Sequence, residues 1–427
     1  MARLKTEEHM KPKLGVLIVG SKGSVATTLM AAQAAMRKNL GLYFKLPSET
    51  EPAYSKLGLV DLADILFGGW DIVSDSYSRS CDCHNVVPKH VLPLVSDELD
   101  KIGVFPAIMV EHDKTIEGLL ATEEAQPRMK DIDFATTVFT KRPIPELIRS
   151  IEYDIAGFRK KNKVEKVIVI NLASTEKPVK LSDTHKSLKA FEAGIRENSN
   201  DITSGMVYAY TAIRNGCHVI NFTPSVVADI PALEELARKK KVALAGKDGK
   251  TGQTLYKTAL APMLKHRALK LTGWYSTNIL GNRDGQVLND PDHCASKIDS
   301  KKGVLRNIMG YDDFDHQVHI HYYIPRGDAK EAWDNIDFTG WFNVPMQMKV
   351  DWLGDDSILA APLVADLIRW MDFFTDKGEY GVLTQLAPYF KQPMGTAEYD
   401  FFRQIDMLKS HVTKKYLKVK PKVKSKK

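Results

Sequence analysis

At 427 residues the chain is about three times the usual ~150-residue domain, so two domains or one elaborated domain are expected. The composition is 44% hydrophobic and 26% charged, which excludes a collagen-like rod, a coiled coil and wholesale disorder. The formal charge is +7, but residues 414–427 carry eight lysines and no acid, so the body is close to neutral and no nucleic-acid surface is implied. The tail reads as a solvated end, with contact to a polyanion or a membrane surface as the alternative. Four cysteines, Cys81, Cys83, Cys217 and Cys294, are too few for a disulfide framework in a chain this long and suggest a reducing cytoplasm. The first apolar run is too short for a signal sequence, and nothing approaches about 18 apolar residues, so neither export nor membrane insertion is expected.

The run LGVLIV from Leu14 to Val19 ends at Gly20 and reads as a strand buried on both faces, as in a parallel sheet. A helix is predicted over Ser24–Arg37, a strand over 104–110, a helix over 145–161 and a strand over 166–173. A helix around 202–214, a strand over 218–222, a helix over 231–240 and a strand over 242–246 follow. This alternation predicts right-handed crossovers and a doubly wound α/β sheet. Beyond residue 265, segments 268–276, 316–324 and 343–353 alternate with period two, which predicts a second, largely antiparallel sheet. Helical periodicity returns over 360–374, so the C-terminal part is expected to pack back on the first domain. The domain expectation is 1–247, 248–358, 359–412 and a basic, disordered tail at 413–427.

Gly20-Ser21-Lys22-Gly23-Ser24-Val25-Ala26 is a G-x-x-G-x-x-A turn between strand and helix. It reads either as a dinucleotide loop, where glycines admit a pyrophosphate to free helix amides, or as an ordinary tight turn. The carboxylate expected on a ribose hydroxyl is Asp71, so late that an insertion at 40–60 is required. AGKDGKTGQT from Ala245 to Thr254 contains GKT, but Leu244 stands where a Walker motif needs its first glycine. What remains is an anion-binding loop for a phosphate monoester, or a structural turn. Lys297 and Lys301 stand four apart, a spacing that usually marks a solvated helix face. His319 and His321 have metal-compatible spacing but no third ligand nearby in sequence, and Cys81-Asp82-Cys83-His84 lacks a second ligand pair, so no metal site is assigned.

As an ordered series these motifs resemble the myo-inositol-phosphate synthase family over residues 14–396. GVLIVGSKGSVATTL, FGGWDI and INLASTE look like its cofactor segments. AGKDGKTGQT is similar to GDDxKSGQT, ILGNRDG to HLGNNDG, SKIDSK to SKxxSK, IPRGDAK to a GDSK turn and DDSILAAP to EDSxLAAP. The resemblance implies a Rossmann-type NAD-binding domain, with NAD on Gly20, Ser21, Gly23, Ser24, Val25, Asp71, Ala173, Ser174, Thr223 and Asp284. It implies that Thr251, Gly252, Gln253, Thr254 and Asn282 bind the substrate, glucose 6-phosphate. Lys301 would help hold the sugar phosphate, and Lys297, Lys330 and Lys391 would surround the reacting carbons, with Asp248 and Asp356 orienting lysines. The implied reaction is oxidation at C5, enolisation at C6, aldol closure on C1 and reduction at C5, which opens inositol biosynthesis with no net redox change. Fixed cations are wanted because oxyanions develop at C5 and C1.

The family also implies a homotetramer built through the second domain, and a monovalent or divalent cation requirement that these residues do not choose between. The departures are Lys22 for the family's second glycine, Ala26 for its last, and Arg283 in NRDG. The rival readings are a sugar-phosphate dehydrogenase that releases NADH and a non-catalytic NAD- or polyanion-binding protein.

Overall fold

The computed structural model describes residues 14–41, 45–112, 141–281 and 303–417. Its larger sheet has seven strands: β1 Gly15–Val19, β2 Leu66–Asp71, β3 Gly103–Pro106, β4 Val167–Asn171, β5 His218–Asn221, β6 Ala243–Gly246 and β11 Gly381–Val382. The order is β11-β6-β5-β4-β1-β2-β3, with every pair parallel. From β3 to β6 this is the doubly wound order, whose chain reversal falls between β1 and β4. The strands lie between two apolar layers, which is why β1, β4, β5 and β6 are unbroken apolar or near-apolar runs, buried along their length.

One layer holds α1 Ser24–Arg37, α2 Tyr77–His84 and α3 Leu92–Leu99. The other holds α4 Ile144–Asn162, α5 Leu188–Glu197, α6 Ser204–Arg214 and α7 Pro231–Lys240. Helix boundaries follow local chemistry. Pro231 opens α7 at a position that needs no amide donor, and Lys241 ends it at φ +53°. The Thr203 hydroxyl accepts from the Met206 amide to start α6.

The second sheet has the order β10-β9-β7-β8, built from β7 Lys270–Leu280, β8 Asp315–Tyr322, β9 Ala329–Thr339 and β10 Pro345–Asp355. α8 Gln253–His266 leads into it, and its small core contains Ala261, Leu264, Trp274, Leu305 and Ile336. The sheet is mixed: β9 pairs antiparallel with β7 and β10, while β7 and β8 run parallel. β9 lies in the middle, in a stretch from which no strand is predicted beyond the GDAK turn. α9 Asp356–Asp376 then returns to the larger domain and packs against α1 in the same apolar layer. α10 Phe401–Tyr416 joins that layer through Leu408 and Val412, and its helix continues beyond 412, where the basic tail is predicted to start. No helix among the described residues is long and apolar enough to cross a membrane.

His218 is buried at the start of β5, its Nδ1 accepting from the Ala243 amide at 3.1 Å. Burial pulls its pKa from 6.5 to about 4; nearby Lys166 adds to the shift and Asp376 opposes it. The native state therefore keeps this ring neutral while the unfolded chain protonates it between those values. Stability should be full above pH 6.5 and fall by about 3 kcal/mol by pH 4 from this group alone. Urea titrations at pH 7 and pH 4.5 should show a smaller pH-dependent loss in His218→Gln than in the parent.

Candidate active site

The first part of the site lies where β1 meets α1. Gly20 has φ +79°, and a Cβ there would stand 2.8 Å from the Ala173 Cα, so only glycine lets this turn close against the end of β4. The Gly20 and Ser21 amides donate to the Trp70 carbonyl at 2.9 and 3.1 Å. Gly23, the N-cap of α1, makes no side-chain cap, which leaves the first-turn amides of Ser24 and Val25 uncapped by a side chain, as a pyrophosphate requires. Asp71 ends β2, next to β1, and accepts from the Lys22 amide at 2.7 Å and the Val73 amide at 3.0 Å. The insertion that delays it consists of a short helix at Pro47–Thr50 and a 3-10 turn at Leu62–Asp64.

From there a polar seam runs across the strand ends. Asn171 closes β4 and Asn221 closes β5. The Asn171 Nδ2 donates to Asn221 Oδ1 at 3.3 Å and to Thr223 Oγ1 at 3.2 Å, and the Thr223 hydroxyl donates to Asn221 Oδ1 at 2.9 Å. The Ala173 amide donates to Asn171 Oδ1 at 3.3 Å, and Ser174 beside it is half-buried. The Thr223 carbonyl accepts from the Asp248 amide at 3.0 Å, which joins the cofactor side of the site to the loop after β6.

That loop is fixed by the chain after α9. Lys247 and Gln392 exchange backbone hydrogen bonds of 2.8 and 3.2 Å, and the Met394 amide donates to the Gly246 carbonyl at 2.7 Å. Gly249 packs so tightly on Phe222 that a Cβ would lie 2.1 Å from the ring. This zipper brings Lys391 against Asp248, Nζ to Oδ1 2.8 Å. A second pair comes from the smaller domain: Lys330, at the start of β9, lies with Nζ 3.2 Å from Asp356 Oδ2 at the first turn of α9. Thr251, three residues after Asp248 in the same loop, donates its hydroxyl to Asp356 Oδ1 at 2.9 Å. All four charged side chains are at most 20% exposed, so the two ammonium–carboxylate pairs are partly desolvated and their fields are strong.

Gly252 is the N-cap of α8 and supplies no side-chain cap. The Gln253 side chain points into the smaller domain: its Nε2 donates to Asp334 Oδ2 at 2.9 Å and its Oε1 accepts from Asn278 Nδ2 at 2.6 Å. What Gln253 offers the loop is therefore its backbone amide. Thr254 Oγ1 and Asn278 Oδ1 are buried polar atoms without a hydrogen-bond partner among the described residues, a state that ordinarily costs about 1–3 kcal/mol unless a ligand or water supplies the partner.

Sequence reasoning missed Asn278 and the buried support beneath it. Asp334 also accepts from Tyr256, Trp274 and Ser276. Lys257, fully buried, has its Nζ 3.0 Å from His316 Nε2 and 4.0 Å from Asp334 Oδ1, and burial lowers its pKa to about 8 against the pull of Asp334. Lys250 turns away from the cleft to the Gln404 side chain on α10, with burial lowering its pKa to about 7. No local pattern within GKTGQT separates Lys250 and Gln253 from Thr251 and Thr254, because strict alternation would group Lys250 with Thr254; the directions of Lys250 and Gln253 are set by Gln404 and Asp334 from other elements.

Asn282, Asp284, Lys297 and Lys301 lie outside the described residues; Leu280, at the end of β7, pairs with Lys330. His319 and His321 stack at 6.3 Å, and among the described residues no group of three or more His, Cys, Asp or Glu could hold a metal.

A family model described as Myo-inositol-1-phosphate synthase, of an NAD-binding kind, matches residues 46–412. Inositol-3-phosphate synthase 1 of Bacteroides thetaiotaomicron is 39% identical, the alignment covering 94% of this chain and 96% of that one. The inositol-3-phosphate synthase of Saccharomyces cerevisiae is 27% identical over 90% of this chain and 80% of its own length. Among solved structures, inositol-3-phosphate synthase from Caenorhabditis elegans superposes with a TM-score of 0.82 at 24% identity, covering 94% of this chain and 86% of that chain. A synthase-related protein from Thermotoga maritima does so with a TM-score of 0.73 at 20% identity, covering 93% and 98%. The doubly wound sheet, the turn at Gly20 and the match along most of the chain agree: this protein belongs to the myo-inositol-1-phosphate synthase family.

Proposed function

We propose that the cleft converts D-glucose 6-phosphate to 1D-myo-inositol 3-phosphate, an NAD-dependent isomerisation. The observation that carries the reading is that one loop before α8 holds both pairs: Asp248 of that loop meets Lys391, and Thr251 of the same loop donates to the Asp356 that meets Lys330. The substrate phosphate is taken by the Thr254 hydroxyl and the amides of Gly252, Gln253 and Thr254, where the helix end favours an anion, and by the Thr251 hydroxyl once it turns from Asp356 to the phosphate. The buried unpartnered Thr254 hydroxyl fits that role, and Asn278 Oδ1 fits a sugar hydroxyl.

NAD fits the residues present, because the α1 terminus carries no side-chain cap and glycine at position 20 lets the turn close against the Ala173 backbone; when bound it would supply a reversible hydride acceptor. Ser24 and Val25 at the uncapped α1 terminus would hold its pyrophosphate over the turn shaped by Gly20, Ser21 and Gly23, Asp71 would meet its ribose, and Ala173, Ser174 and Thr223 would flank its other end. Lys391 and Lys330 stabilise the oxyanions that develop as C5 is oxidised, C6 enolises and C1 is attacked, and their carboxylate partners keep both ammonium groups aimed before substrate arrives. Lys297 and Lys301 complete the cationic set, Asn282 contacts substrate and Asp284 serves the cofactor end.

The test is phosphorus NMR of the protein with glucose 6-phosphate and catalytic NAD. The expected result is an inositol monophosphate resonance with no accumulating NADH absorbance; stoichiometric NADH would contradict the reading.

A homotetramer built through the smaller domain is supported by the apolar edge of its sheet, where Trp341, Phe342, Val344 and Leu353 are more than half exposed on or next to β10. Residence in the cytoplasm rests on the sparse cysteines, of which Cys81, Cys83 and Cys217 are unpaired.

A further inference from the structure

Lys22 occupies the second place of the nucleotide turn, where a side chain aimed at the cofactor would block the backbone's approach to a pyrophosphate. In this protein the side chain is aimed elsewhere. Only 2% exposed, it runs under the turn to the loop after β2, where its Nζ donates to the Val73 carbonyl at 2.7 Å and to the Asp75 carbonyl. The ammonium also lies 5.6 Å from the centre of the Tyr77 ring, and the Tyr77 hydroxyl donates to Ser21 Oγ at 3.0 Å.

The Lys22 backbone is held from two further sides. Its amide donates to Asp71 Oδ2 at 2.7 Å, and its carbonyl meets His84 Nε2 of α2 at 2.7 Å. Burial pushes the Lys22 pKa down, with Asp71 and Asp75 opposing the shift, and Nζ is held by two backbone carbonyls rather than by water. A buried ammonium is expensive to desolvate, and this one spans two separate chain segments: the turn that receives the pyrophosphate and the loop that carries the ribose-side carboxylate. With glycine in its place, the Asp71 carboxylate and the Tyr77–Ser21 bond would be left to join them.

We propose that Lys22 is a positioning residue for the dinucleotide: it braces residues 72–76 against the nucleotide turn and holds Asp71 in its ribose-binding position before the cofactor arrives. Preorganisation of this kind is read in cofactor affinity, because the free protein no longer has to order the loop on binding. It acts on the adenosine side, far along the chain from the lysines assigned to chemistry.

The experiment compares Lys22→Met, Lys22→Gly and Lys22→Arg with the parent full-length protein by isothermal titration with NAD, thermal unfolding without NAD, and KM for glucose 6-phosphate at saturating NAD. The expected result is a Kd for NAD raised about tenfold or more in Met and Gly, largely restored in Arg, with KM for the sugar phosphate moving far less. Unchanged NAD affinity in folded Lys22→Gly or Lys22→Met would overturn the proposal, as would an Arg variant no better than Met. If Lys22→Met does not fold, the Gly and Arg pair decides. Absence of cyclase turnover in the parent would instead count against the proposed reaction and leave the affinity comparison standing.

Discussion

Lys391→Met should lower kcat for inositol phosphate formation by about 10²–10³-fold, the usual cost of removing one fixed stabiliser of a developing oxyanion. The side chain is mostly buried and 2.8 Å from Asp248 Oδ1, so methionine keeps its bulk and loses its charge. Asp248→Asn should do similar damage by a different route, since the ammonium loses the anion that aims it. Because the two act as a unit, the double variant should be little worse than either single one. NAD affinity should change little in all three, as measured by titration alongside steady-state rates. Fully additive losses would mean that Lys391 and Asp248 act independently.

Gly20→Val should abolish cofactor binding. The residue sits at φ +79°, and even a lone Cβ would stand 2.8 Å from the Ala173 Cα and 2.9 Å from its amide nitrogen. Backbone, not a flexible side-chain end, lies in the way, so the turn itself must open. The positive φ adds roughly 1–3 kcal/mol of strain for a side-chain-bearing residue. An NAD Kd weakened at least about 100-fold is expected, since that ratio corresponds to under 3 kcal/mol, together with a lowered Tm. Titration and a thermal melt on one preparation check both.

The first domain was legible because its signals are local. An apolar run of six that stops at Gly20 is too short for a typical helix and reads as a buried strand entering a turn, and α1 and α7 match their expected bounds of Ser24–Arg37 and 231–240. The second sheet was less legible. β9 is its central partner, yet it carries Asp334 and Asn335 amid apolar residues, and a carboxylate buried by Gln253, Tyr256, Trp274 and Ser276 looks in sequence like a loop residue. The parallel pairing of β7 with β8 was hidden too, since half-exposed strands alternate in the same way in either direction.

At the site, the ordered set of motifs singled out the lysines together with Asp248 and Asp356 as candidates, and the fold shows which carboxylate each described lysine meets. Lys330 meets Asp356 from 26 positions away and Lys391 meets Asp248 from 143, separations that no local pattern encodes. The inward turn of Gln253 and Lys250 depends on Asp334 and Gln404, which arrive from other elements.

The central claim is that one cleft removes a hydride from C5 and returns it to the same carbon with the lysine–carboxylate pairs unmoved. The most direct measurement is turnover of glucose 6-phosphate deuterated at C5 in the presence of unlabelled NAD, with the product read by mass spectrometry and NMR. The account predicts that deuterium is retained at the corresponding ring carbon of the inositol phosphate and that none accumulates in free NADH. Product that has lost the label at that carbon, with deuterium in the dissolved NADH pool, would contradict it.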